Sequence, residues 1–209
     1  MRVLVIGANG GIGKQVIEKL LESDHEPVAM VRNTDQIPQF EELGALTVLA
    51  DLEEDFEKAF HNIDAVIFAA GSGPHTGADK TIVIDQEGAI ESADLAKKYG
   101  IKRFILLSSF GADRPKQTGQ MKHYLYAKHR ADEYLKKAGL NYTIVRPGRL
   151  TDDPGTGKVN LQEKLSDIGN IPREDVAAVL VYLLTVPRAE NKIFELVEGN
   201  TELSEVLAY

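Results

Sequence analysis

The sequence predicts an α/β protein: a Rossmann-type, doubly wound parallel sheet between two helical layers, with a small lobe from the C-terminal residues. Three observations lead there. The chain opens on a strand, a glycine loop and a helix in immediate succession. Short β-branched runs and stretches with helical periodicity then alternate up to residue 147. Polar residues able to do chemistry cluster where those strands end, at the carboxyl edge, which is where open α/β sheets bind ligands.

Val3 to Ile6 is short, apolar and bounded by glycine, as a buried parallel strand is. After Gly7-Ala8-Asn9-Gly10-Gly11-Ile12-Gly13, the residues Val16, Ile17, Leu20 and Leu21 form one apolar helix stripe. Pro27 to Val31 and Ala45 to Leu49 read as strands, and Glu53 to Phe60 as a short helix. Ala65 to Ala69 is the next strand, followed by a glycine-rich loop, Gly71 to Gly77. A long helix is expected from Asp79 to Tyr99, with Ile82, Ile90, Ala93 and Ala96 inward and Gly100 as its cap. Arg103 to Leu107 is a strand, Gln120 to Ala138 a helix ending at Gly139, and Asn141 to Val145 a strand. Asp152 to Gly157 reads as a loop and Gly157 to Leu161 as a short strand. Pro172 suits the first position of a helix running to Thr185. Ile193 to Val197 is a last strand and Leu203 to Leu207 a terminal helix. The expected organisation is one domain over 1–209, with 149–209 forming a substrate-side lobe.

The chain has 209 residues, 43% of them hydrophobic, which is enough for a sizeable core. A net charge of -8 argues against general attraction to nucleic acid or anionic membrane. With no cysteine, disulfides, thiolate metal sites and cysteine nucleophiles are excluded. The five histidines, His25, His61, His75, His123 and His129, lack metal-site spacing, so no metal is expected. The first apolar run is too short for a signal peptide, and no stretch approaches a membrane span. The expectation is a cytoplasmic protein acting on a small molecule. A monomer and a homodimer both remain open.

Glycines 7, 10 and 13 allow a tight turn, close approach of a pyrophosphate and close packing of helix on strand. The helix start adds unpaired N–H groups and the positive end of a dipole. Arg32 ends the second strand, where an NAD enzyme usually has an acid. A guanidinium there suits a 2′-phosphate, with Lys14 as a second charge. Asp51 can accept from an adenine amino group, or cap a helix with Glu54 at N3. The small residues Ala69-Ala70-Gly71 would let a cofactor cross the sheet edge. Tyr124 and Lys128 share one helix face, where an ammonium favours the phenolate and the pair can relay a proton. Ser108-Ser109 ends the preceding strand, where a serine hydroxyl can hold the same substrate oxygen.

Gly7-x-x-Gly10-x-x-Gly13, Ala69-Ala70-Gly71, Ser108-Ser109, Tyr124-x-x-x-Lys128 and Arg146-Pro147-Gly148 follow one another along the chain. With these the sequence resembles the short-chain dehydrogenase/reductase superfamily. Within it, the sequence is similar to the atypical NAD(P)H-binding or NmrA-like group, near the biliverdin-reductase-B and flavin-reductase-like proteins. Arg103 to Ser109, Leu140 to Gly148 and Pro172 to Ala177 carry the narrower likeness, which spans roughly residues 1 to 200. The resemblance implies a Rossmann fold holding NADP, or NAD, across the sheet edge. Its dinucleotide loop falls on Gly7, Asn9, Gly10, Gly11, Ile12 and Gly13, its 2′-phosphate arginine on Arg32, and its adenine-side acid on Asp51, beside Leu52. Ala69, Ala70, Gly71, Ser108, Pro147 and Gly148 complete the implied cofactor site. Ser109 takes the catalytic serine's place, Tyr124 the acid/base's, and Lys128 the ribose-binding lysine's. The departure from the pattern is size: the larger epimerases and dehydratases carry a fuller C-terminal substrate domain, so their nucleotide-sugar substrates are not expected here. The implied function is an NADP-dependent oxidoreductase acting on a small carbonyl or conjugated substrate. An epimerase or dehydratase, and a non-catalytic redox sensor, are the alternatives.

Overall fold

In β1 (Arg2–Ile6) every residue after Arg2 is buried, and alternate side chains serve opposite cores. Val3 and Val5 join one apolar cluster, and Leu4 and Ile6 the other, as the two-residue period of a strand requires. The structure is a computed structural model and describes residues 1–73, 76–117 and 121–208. The remaining strands are β2 (Glu26–Val31), β3 (Leu46–Leu49), β4 (Ala65–Phe68), β5 (Arg103–Leu107), β6 (Tyr142–Pro147), β7 (Arg149–Thr151), β8 (Lys158–Gln162), β9 (Asn170–Pro172), β10 (Lys192–Glu198) and β11 (Thr201–Glu202). The helices are α1 (Gly11–Leu21), α2 (Ile37–Glu41), α3 (Ala78–Lys80), α4 (Gly88–Lys98), α5 (Lys122–Leu135) and α6 (Arg173–Tyr182).

Nine strands form one sheet in the order β11-β8-β10-β6-β5-β4-β1-β2-β3. From β10 to β3 all neighbours are parallel, while β8 runs antiparallel to both β10 and β11. A separate parallel pair joins β7 to β9. Val16, Ile17 and Leu20 of α1 share one core with Val176 and Leu180 of α6. Ala93 and Ala96 of α4 share the other with Ala131 and Leu135 of α5. The sheet therefore carries helices on both faces, a Rossmann-like α/β arrangement.

Four local expectations give way, the simplest being the terminal helix expected over residues 203–207, which is a 3₁₀ turn at Leu203–Glu205. The helix expected over residues 53–60 shrinks to a 3₁₀ turn at Glu57–Phe60. Asp51 and Asp55 instead accept from the backbone N–H groups two residues on, Glu53 and Glu57, at 3.1 and 3.0 Å. Such local bonds compete with helix formation, so Asp51 caps a turn rather than a helix. Pro172 is the N-cap of α6 rather than its first residue, because its backbone still extends β9 opposite Thr151. The long helix over residues 79–99 contains a π-helical stretch, Thr81–Glu87, between α3 and α4. The wider turn changes its phase: Ile82, expected inward, is 52% exposed, while Thr81 and Asp85 are buried. Within the expected glycine-rich loop, Pro74 and His75 lie outside the described residues, as does Gln120, the expected start of the helix that becomes α5.

Candidate active site at the sheet's carboxyl edge

The chain leaves β1 towards β2 and β3, then returns to β4 and runs outward through β5, β6 and β10. The switch point is therefore the gap between β1 and β4, where open α/β sheets bind ligands. Gly7 sits there with φ +86°, and a Cβ on it would lie 2.5 Å from the Ala70 nitrogen. A Cβ on Gly13 would lie 2.1 Å from the Gly7 carbonyl oxygen. The Gly10 N–H donates to that same oxygen at 3.0 Å. Gly10 is the N-cap of α1 and, like the rest of the described residues, places no side-chain cap on the helix start. The N–H groups of Gly11, Ile12 and Gly13 precede the first intrahelical bond, from Lys14 to Gly10 at 3.0 Å. Gly7 set against Ala69 and Ala70, and open donors at a helix start, fit the pyrophosphate of a dinucleotide.

Asn9 is exposed, but its side chain has a partner. Its Oδ1 accepts from Gln39 Nε2 of α2 at 2.9 Å, which ties the loop to the helix after β2. Arg32 is exposed at the end of β2, and among the described residues its guanidinium makes no ion pair. Leu52 packs against Gly88 at the start of α4, 3.2 Å from where a Cβ there would be. Gly148 packs closely on a neighbouring loop, since a Cβ on it would stand 2.3 Å from the Gly169 carbonyl oxygen. The Pro147 carbonyl accepts from Phe110 N–H at 3.0 Å and so fixes the turn after Ser109. His129 reaches the same turn through the Ala112 carbonyl at 2.8 Å.

Lys128 is enclosed. Its Nζ lies 3.0 Å from Asp85 Oδ1, and the side chains are 3% and 0% exposed. It also donates to the Leu107 carbonyl at 3.3 Å and lies 5.7 Å from the centre of the Tyr124 ring. Burial draws the Lys128 pKa down, but the neighbouring Tyr124 and Asp85 raise it more, so the ammonium is retained. Asp85 also accepts from Ser72 N–H at 3.0 Å, through its second oxygen. It thereby joins the loop after β4 to the lysine of α5. Tyr124 is half-buried, and Ser109 stands half-buried at the end of β5. The Ser108 hydroxyl is instead buried beside Asp132, with no well-formed hydrogen bond among the described residues. Asp132 is gripped by Arg146, whose Nε and terminal nitrogen donate to one oxygen at 2.9 and 2.8 Å.

Asp85 and Asp132 are the neighbours that sequence reasoning passed over. Asp85 sits within an otherwise helix-like run, and its one signal is a carboxylate on a face expected to be apolar. Asp132 is four residues after Lys128, on the same face of α5, so the strand-facing row already held a second charge.

A mainly parallel switch-point sheet with a glycine cradle and a lysine-bearing helix defines an NAD(P)-binding protein of the oxidoreductase/epimerase type. The chain belongs to the NAD(P)H-binding family, whose model matches residues 7–187. A Bacillus subtilis relative named an uncharacterized sugar epimerase, YhfK, is 43% identical, over 99% of each chain. A solved structure from Bacillus halodurans, provisionally named an NAD-dependent epimerase/dehydratase, is 51% identical with a TM-score of 0.97, over 99% of this chain and 98% of that one. ChuY of Escherichia coli O157:H7, described as an anaerobilin reductase, is 25% identical with a TM-score of 0.83, over 97% of this chain and 99% of that one.

Proposed function

We propose that the chain is an NADP-dependent oxidoreductase acting on a small carbonyl or conjugated substrate. The observation that carries this reading is the Tyr124 phenol lying beside a buried, charge-retaining Lys128, on the strand-end side of α5. NADPH, when bound, supplies the hydride. Tyr124 gives the proton to the substrate oxygen, and Ser109 orients that oxygen. Lys128 holds positive charge near the phenol, which favours proton release. Gly7, Gly10 and Gly13 let the pyrophosphate approach α1, and Arg32 pairs with the 2′-phosphate. Asp51 accepts from the adenine, while Ala69, Ala70 and Gly71 leave room along the edge. The reductase relative ChuY supports a reduction.

The test is NADPH oxidation against a panel of carbonyls, quinones, bilins and flavins. Tyr124→Phe is expected to slow turnover of the best substrate by ~10²–10⁴-fold, the usual contribution of a general acid. Wild-type rates in that variant would remove Tyr124 from the chemistry. The epimerase-named relative of Bacillus subtilis favours a second reading, an epimerase or dehydratase on the same residues. That reading requires substrate conversion with no net loss of NADPH and a cofactor retained through purification.

A further inference from the structure

The first turn of α6 lies against the start of α1, and Arg173 bridges them. A Cβ on Gly11 would stand 3.3 Å from Arg173 Cδ and 3.6 Å from its Nε. Gly11 is the first residue of α1, next to the open N–H groups of the glycine loop. The arginine stem therefore runs over the point where that loop becomes a helix. Its guanidinium donates to Asp152 Oδ1 at 2.6 Å, and the Asp152 side chain is 90% exposed. Among the described residues, this is the sole hydrogen-bonded partner of the guanidinium.

The backbone around Arg173 is anchored by other residues. Glu174 accepts from Gly155 N–H at 2.9 Å, and buried Asp175 accepts from Thr156 and Gly157 N–H, each at 2.9 Å. The loop is thus pinned to α6 without Asp152, and the Arg173–Asp152 pair is not needed to hold it. An exposed ion pair is worth only ~0–1 kcal/mol, so another anion can displace Asp152 at small cost. A planar guanidinium matches phosphate oxygens in paired, charge-assisted bonds.

We infer that Arg173 is a cofactor-binding residue that faces the dinucleotide pyrophosphate, and that Asp152 competes with the pyrophosphate for it. The inference rests on the reading of Gly7 to Gly13 as the dinucleotide loop. It assigns to α6 a cation distinct from Arg32, with a different target. The pyrophosphate is common to NADPH and NADH, so Arg173 strengthens both, whereas a 2′-phosphate arginine discriminates between them.

The experiment is titration of NADPH and NADH into the whole protein by calorimetry, with thermal melts to verify folding. Arg173→Gln is expected to raise both Kd values about tenfold while leaving their ratio unchanged, and Arg173→Lys to raise them less. Asp152→Asn is expected to lower both Kd values by twofold or more. The inference is overturned if Arg173→Gln stays within threefold of wild type, if its loss is confined to NADPH, or if Asp152→Asn binds no tighter than wild type. Asp152 is exposed, so that variant decides the matter should Arg173→Gln fail to fold. A wild-type protein that binds neither dinucleotide would instead overturn the loop reading itself. Unaltered binding in the variants, with a binding wild type, would overturn the role of Arg173 alone.

Discussion

One absent methyl group decides whether the first loop can close. A Cβ on Gly13 would meet the Gly7 carbonyl oxygen at 2.1 Å, and that oxygen cannot retreat because Gly10 N–H holds it at 3.0 Å. Gly13→Ala must therefore push α1 away from β1. We expect a loss of about 1–3 kcal/mol, the usual cost of overpacking a close contact, read as a lower midpoint in urea, together with weaker dinucleotide binding. Arg32 acts differently, because nothing in the fold leans on it: it is exposed, with no ion pair among the described residues. Arg32→Asp should leave the urea midpoint unchanged. It should weaken NADPH at least tenfold, since a hydrogen bond to a charged group contributes about 1.5–3 kcal/mol, and change NADH by less than about threefold. Equal weakening of both would place the 2′-phosphate elsewhere. The places of the glycine pattern and of Arg32 at the ends of β1 and β2 were legible because they are local, set by neighbours in the sequence.

The π-helical stretch shows what local pattern cannot carry. Ile82, Ile90, Ala93 and Ala96 share a helical phase on paper, and Ala93 and Ala96 are indeed buried. Ile82 is exposed because the wider turn at Thr81–Glu87 rotates Asp85 inward, and the attraction behind that comes from Lys128, forty-three positions away. A buried ion pair is costly to desolvate, and losing one partner leaves the other uncompensated. Asp85→Asn is therefore expected to cost about 3–5 kcal/mol at neutral pH, measured by urea unfolding. Asp85→Leu combined with Lys128→Met should recover most of that stability, since it leaves no stranded charge. An equal or larger loss in the double variant would deny the pairing. The sign with pH follows from Lys128, whose pKa is raised in the fold. Its contribution is complete below the ordinary lysine range and fades as pH climbs through the raised value. The wild type should thus hold its advantage over Asp85→Asn through neutral pH and lose it only under strongly alkaline conditions.

Across the whole molecule, the longer strands were readable one by one, but the short β7, β9 and β11 and the partners of every strand were not. Short apolar runs mark β1, β4 and β5, while the pairing of β10 with β6 and the reversed β8 are non-local facts. So is the meeting of α6 with the glycine loop, which brings Arg173 to Gly11. The candidate site consequently draws on both ends of the family match, from the loop after β1 to the first turn of α6. Parts so distant in sequence come together only in the folded chain. A dinucleotide that needs all of them binds the native state and not the unfolded one. Binding then stabilises the whole fold by mass action, about 2.7 kcal/mol when the free ligand is at 100 times its Kd. For a domain of this size each 1 kcal/mol moves Tm by about 2–4 °C, so NADPH at that excess should raise Tm by roughly 5–11 °C in one cooperative transition. Differential scanning fluorimetry across an NADPH series tests this. A Tm that ignores NADPH would mean that the native state does not bind it, while a second, ligand-insensitive transition would mean that part of the sheet melts independently of the site.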